Sequence, residues 1–114
     1  MTADTSAQFD SALQACKDIF LAKMKDYGTA WRILRPESLT DQIYIKANRI
    51  RSIQGKGTHL VVEDEWPEFI GIINYAIIAL IQLELGNSDE QTLNHAEVEK
   101  YYDKYATAAK SLML

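Results

Sequence analysis

At 114 residues the chain is long enough for one hydrophobic core and too short for two domains. Hydrophobic residues at 47% and charged residues at 25% are those of an ordinary globular protein and exclude disorder, while five Gly and two Pro are too few for a turn-rich all-β fold. The lone Cys16 excludes an internal disulfide and a cysteine zinc site, and no basic-then-apolar leader opens the sequence, so the chain reads as cytoplasmic.

The net charge of −4 hides an asymmetry. From Cys16 to Lys56 nine Lys/Arg face four Asp/Glu, and from Gly57 onward three Lys face ten Asp/Glu. Two readings fit: the halves neutralise each other, or the basic part faces phosphate while the acidic part holds a cation. Nucleic acid is not expected, because the basic residues are spread singly and the pI is 5.1.

Phe9, Ala12, Leu13, Cys16, Ile19, Phe20, Lys23/Met24 and Tyr27 recur at three- and four-residue steps and predict a first helix over about 5–25, ended by Gly28. Cys16 lies on its apolar stripe and reads as core. The connection GTAWRILRPES is too rich in large side chains for a plain surface loop and is expected to fold back on the bundle. Ser38 with Asp41 three residues on suggests a capping box, placing the second helix from about Leu39 to Gln54, with Ile43, Ala47 and Ile50 inward. The stretch GKGTHLVVE reads as loop. Asp64 is a cap for the third helix, Pro67 fits its first turn, and FIGIINYAIIALIQLEL runs apolar nearly all round until Gly86. Asn74, Gln82 and Glu84 interrupt it, so it reads as a buried central helix rather than a membrane span. Asn94 and Glu97 open a fourth helix whose apolar face carries Tyr101, Tyr105, Ala108 and Leu112, flanked by Tyr102 and Ala109. The expected fold is all-α: a four-helix bundle-like single domain over 1–114 with a central apolar third helix. An offset of 93 aligns Asp10, Ala15, Lys17 and Leu21 with Asp103, Ala108, Lys110 and Leu114, as if about 100–114 opened a truncated second repeat.

The strings KDYGTAWRILRPESLTDQIYIKANRIRSI and EFIGIINYAIIALIQLELG resemble the nucleotide-modification-associated domain family, and within it the Bacteroidetes branch, over roughly residues 8–114. The resemblance implies a nucleotide-associated helical domain, and the two-copy architecture of that branch accounts for the internal echo. More distantly the chain is similar to MazG-type all-α nucleotide pyrophosphohydrolases, which hold Mg²⁺ with an ExxE on one helix and an ExxD on another. That similarity implies a Mg²⁺-dependent pyrophosphohydrolase-like site. Two departures weaken it: Glu68-Phe69-Ile70-Gly71 carries Gly where the ExxD carboxylate belongs, and the second helix has Asp41 but no ExxE.

The candidate phosphate and nucleotide residues are Trp31, Arg32, Arg35, Lys46, Arg49 and Asn74. Arg32/Arg35 and Lys46/Arg49 are each three apart and therefore neighbours, Arg suits bidentate phosphate contact, and Trp31 can stack on a base. Salt bridges from these cations to Glu63, Glu65 or Glu68 explain the same residues without a ligand. Asn74 contacts either a base or the Tyr27–Arg35 connection. Asp41 and Glu68, with Glu65, are the candidate metal ligands; Asp41 also fits a first-turn carboxylate, and Glu63, Asp64 and Glu65 fit solvated helix-start charge. Gly71 makes room either for a neighbouring helix or for a ligand. His59 and His95 show no metal-ligand spacing. Asp41, Lys46, Arg49 and Glu68 are expected on one side of the bundle, with weak or absent triphosphate hydrolysis. The alternative function is a non-catalytic helical module acting through a protein partner or a second copy. A homodimer is expected through the third or fourth helix, with Tyr102, Ala109 and Met113 incompletely buried.

Overall fold

The computed structural model describes residues 3–55, 65–88 and 93–113. Four α-helices account for nearly all of them: α1 (Ala3–Tyr27), α2 (Pro36–Gly55), α3 (Trp66–Leu85) and α4 (His95–Met113), with a short 3₁₀ turn (Ala30–Ile33) between α1 and α2. The fold is all-α, and among the described residues there is no strand. The predicted loop after Gly55, the Asp64 cap, His59 and Leu114 lie outside the described residues.

Local chemistry sets most of the helix ends. α1 stops at Gly28, whose φ of 63° lets its N–H return to the Met24 carbonyl at 2.7 Å. α3 stops in the same way at Gly86 (φ 76°), which donates to the Gln82 carbonyl at 2.8 Å. Pro67 sits in the first turn of α3, where an amide hydrogen would have no helical partner. α4 opens on the predicted box: the Glu97 N–H donates to the Asn94 side-chain oxygen at 2.8 Å and the Glu97 carboxylate accepts from the Asn94 N–H at 3.4 Å.

The second helix corrects its predicted start. It begins at Pro36, with the Leu39 N–H reaching back to the Arg35 carbonyl at 3.2 Å. Proline supplies a helical φ and loses no needed donor there, so Ser38 and Asp41 fall inside the helix and form no capping box.

α3 packs against α2, α1 and α4. Pairing of Lys46 and Arg49 with Glu68, and of Gln54 with Glu65, shows α2 and α3 running antiparallel. The core gathers Phe20 and Met24 of α1, Leu39 of α2, Ile77, Ile78 and Ile81 of α3, and Val98, Tyr102 and Ala106 of α4. Cys16 is buried as expected, and burial raises its thiol pKa. Leu39 and Ile53 are the deeper α2 residues, while Ile43 and Ala47 are half-buried.

Two expected faces are rotated. Tyr27, expected on the α1 stripe, is 74% exposed, because the chain turns away at Gly28. On α4 the core residue is Tyr102, 1% exposed, rather than Tyr101; Tyr101 and Tyr105 are half-buried, Ala108 is exposed and Leu112 is 89% exposed. The Tyr102 hydroxyl donates to Asn74 on α3 at 2.8 Å, and this bond fixes which face turns inward. Ala109 and Met113 are exposed, as expected.

Ion pairs join α1 to α4. Lys17 pairs with Asp103 at 2.9 Å and Lys110 pairs with Asp10 at 2.6 Å. These pairs show α1 and α4 running antiparallel. Lys17 also meets Glu99 at 3.0 Å, and the Asp103 hydrogen bond raises its pKa.

Candidate functional site

The connection after α1 folds back as expected, and one side chain organises it. Gln82, fully buried on α3, donates through Nε2 to the carbonyls of Arg32 and Leu34, both at 2.7 Å, and of Trp31 at 3.3 Å. Its Oε1 accepts from Arg32 Nη1, which also donates to the Gly86 carbonyl at 2.8 Å. Arg32 is therefore 5% exposed and committed to the fold, with neutral partners among the described residues. This corrects its assignment to phosphate: its guanidinium ties the connection to the end of α3. Arg35, two residues beyond the 3₁₀ turn, is exposed.

The knot holds Trp31 and Leu34 over a cavity of about 410 Å³. Its walls come from α1 (Ile19, Phe20, Lys23, Met24, Tyr27), from the connection, from Lys46 of α2, and from Ile70, Gly71, Asn74, Tyr75 and Ile78 of α3. A volume of this size suits a small organic ligand. Phe20 and Trp31 meet with ring centroids 6.2 Å apart and planes tilted by 50°. The Trp31 indole N–H is out of water and has no hydrogen-bond partner among the described residues. Among the described lining residues the only formal charges are the ammonium groups of Lys23 and Lys46; none is a carboxylate.

Lys46 reaches the rim by crossing Gly71. A Cβ at position 71 would stand 2.6 Å from both Cδ and Cε of Lys46, so glycine leaves the groove in which the lysine stem lies. The ammonium then stands 6.0 Å from the Tyr75 ring centroid and 3.3 Å from Glu68 Oε2. Arg49 Nε binds the other carboxylate oxygen of Glu68 at 3.0 Å. Lys46, Arg49 and Glu68 thus meet on one side of the bundle. Asp41 is exposed and makes no ion pair with them or with any other described residue.

These residues do not fit a divalent cation. Glu68 is occupied by two basic side chains, Glu65 accepts from Gln54 at 3.2 Å, and no group of three potential ligands forms among the described residues. Glu63 and Asp64 lie outside the described residues. Asn74 lines the cavity but spends its amide on the bundle, donating to the Cys16 carbonyl at 3.0 Å and accepting from Tyr102, rather than contacting the 27–35 connection.

Sequence reasoning missed Gln82 and the rim residues Lys23, Tyr27 and Tyr75. The signals were a lone amide four residues before a capping glycine, and a lysine on the otherwise apolar α1 stripe.

The structure defines an all-helical domain with an aromatic cavity rimmed by cations. Residues 23–83, just over half of the chain, match the profile of the family described as nucleotide modification associated domain 1, and the chain belongs to that family. The matched segment begins at Lys23, at the cavity rim, and ends just past Gln82, so it spans most of the site. Neither the curated proteins nor the solved structures hold a match to this chain.

Proposed function

We propose that this domain binds a nucleotide in the cavity between α1, the connection and α3. What carries the reading is the composition of that one cavity: aromatic rings, an indole N–H with no partner among the described residues, and two ammonium groups, with no carboxylate among its described lining residues. A base packs against Trp31 and Tyr75, where flat apolar surface favours stacking. Its phosphate meets Lys23, which has no ion pair among the described residues, and Lys46, whose 3.3 Å contact to Glu68 is the looser of the two that carboxylate makes. Arg49 stays on Glu68 and acts on the phosphate only by keeping Lys46 shared. The family description supports a nucleotide over another aromatic anion.

Calorimetry with 5′-mononucleotides, free nucleosides and inorganic phosphate, each with and without Mg²⁺, tests this. A mononucleotide should bind more tightly than either its nucleoside or phosphate, with quenching of Trp31 fluorescence. Lys23→Glu with Lys46→Glu should cost at least tenfold in affinity for the mononucleotide and little for the nucleoside. Equal binding of inorganic phosphate alone, or no heat with any nucleotide, would overturn the reading.

A further inference from the structure

Glycine inside a helix forgoes the stability that alanine would add, and Gly71 stands in the interior of α3. Its φ is not positive, so the backbone does not require glycine there. The Lys46 side chain does. A Cβ at position 71 would stand 2.6 Å from Cδ and Cε of that lysine and 3.3 Å from Nζ, and these are its three nearest neighbours. The groove is therefore shaped to a lysine stem rather than to the backbone of a packed helix. We infer that Lys46, held in this groove, takes the place of a metal ion, so that a nucleotide binds through its phosphate without a divalent cation. The inference rests on the cavity reading above and adds to it how the phosphate charge is met.

Charge at the rim agrees. Glu68 is the carboxylate to which a cation would come, and it already holds Lys46 at 3.3 Å and Arg49 at 3.0 Å, one on each oxygen. A divalent ion brought there would meet two positive groups at close range, where like charges repel strongly. Lys46, Arg49 and Glu68 together carry a net +1, and Lys23 from the α1 wall raises the rim to +2, the charge of one divalent cation. A phosphate monoester carries roughly −2 at neutral pH, so the rim balances it unaided. Order agrees as well. The lysine stem lies in its groove, with the ammonium 6.0 Å from the Tyr75 ring centroid and against Glu68. A side chain placed in advance has less rotamer freedom to lose when a ligand arrives. Its side chain is still 28% exposed, so the ammonium stays within reach of that ligand.

Calorimetry with a 5′-mononucleotide should give the same affinity in EDTA as in millimolar Mg²⁺. Gly71→Ala should keep its helical circular dichroism and a cooperative melt, because the added methyl meets only the flexible end of a side chain. By pushing Lys46 off the rim it should weaken the mononucleotide about tenfold or more and leave the free nucleoside unaffected. Lys46→Ala should do the same. The two substitutions together should cost no more than Lys46→Ala alone, since the methyl then meets an empty groove. Should Gly71→Ala fail to fold, Lys46→Ala still decides, together with a metal titration that needs no nucleotide. Mn²⁺ added alone at stoichiometric amounts should leave the amide resonances of Glu68 and Gly71 unbroadened. Binding that requires Mg²⁺, Mn²⁺ broadening centred on Glu68, or full mononucleotide affinity in either variant would each overturn this inference and leave the cavity reading standing. So would an equal loss of the nucleoside in Gly71→Ala, or losses that add in the double variant. No mononucleotide binding under any condition overturns the cavity reading, and this inference with it.

Discussion

Two clusters of basic side chains flank α3, and they look alike in the sequence. Arg32/Arg35 and Lys46/Arg49 each place two cations three residues apart beside aromatic or apolar neighbours. In the fold they do opposite work. Arg32 is sealed under the connection with Gln82 and the Gly86 carbonyl, where its charge is solvated by protein dipoles alone among the described residues. Lys46 and Arg49 share Glu68 at the cavity rim, where the side chain of Arg49 is 63% exposed. Burial, not spacing, separates a cation that holds the chain together from one that can meet a ligand.

The largest expected effect breaks the buried cluster. Gln82→Leu keeps the volume of the side chain but leaves the guanidinium short of a partner and the Leu34 carbonyl unpaired. Losing a hydrogen bond to a buried guanidinium and leaving a buried carbonyl unpaired makes this cost about 3 kcal/mol, a fall in Tm on the order of 10 °C. Adding Arg32→Met should recover part of the loss, since removing both members of a buried polar pair costs less than removing one. Urea unfolding of the two variants checks this; equal or additive losses would mean that Arg32 and Gln82 do not act together.

Asn74→Leu comes next, at about 1–3 kcal/mol, because it strands the Tyr102 hydroxyl and removes the second hydrogen bond that the helical Cys16 carbonyl accepts. Burial already raises the Tyr102 pKa. Stability should fall while the helix content of the remaining folded protein stays unchanged.

At the rim, Glu68→Gln should cost under about 1 kcal/mol, the usual scale of a solvent-screened ion pair. It should also free Lys46 and Arg49, so a mononucleotide should bind several-fold more tightly. Stability and affinity then move independently at the rim and not at the buried knot, which is the sharper form of the comparison. Weaker binding by Glu68→Gln would show that the carboxylate positions Lys46 rather than restraining it.

What the sequence made legible was local. The Asn94–Glu97 box, the glycine ends at 28 and 86 and Pro67 each depend on a few adjacent residues, and each sits where the pattern placed it. The choice between Tyr101 and Tyr102 was not legible, because adjacent tyrosines fit either face until Asn74 supplies a partner from another helix. Gln82 read as an interruption for the same reason: its four hydrogen-bond partners lie some 50 residues away in the chain. The site was half legible. Trp31, Lys46 and Asn74 line the cavity, but spacing carries no information on depth, so Arg32 was grouped with side chains that remain in contact with water.

The smallest effect lies in the tie most open to water. Glu84 on α3 accepts from Lys104 and from the Tyr105 hydroxyl of α4, and these bonds hold its carboxyl below the usual glutamate range. A carboxylate whose pKa is lowered by folding stabilises the fold above its unfolded value of about 4.3 and loses that contribution as pH falls through the lower folded value. The unaltered protein should therefore melt slightly above Glu84→Gln at pH 7, and the two should converge as the pH drops below about 4. Salt should shrink the pH 7 difference further, since both partners face solvent. Gln82→Leu should behave otherwise, because an amide does not titrate: its deficit should persist through the same acid range. A Glu84→Gln deficit that also persisted in acid would mean that the α3–α4 tie rests on packing of the glutamate stem rather than on its charge, and that depth is not what separates these clusters.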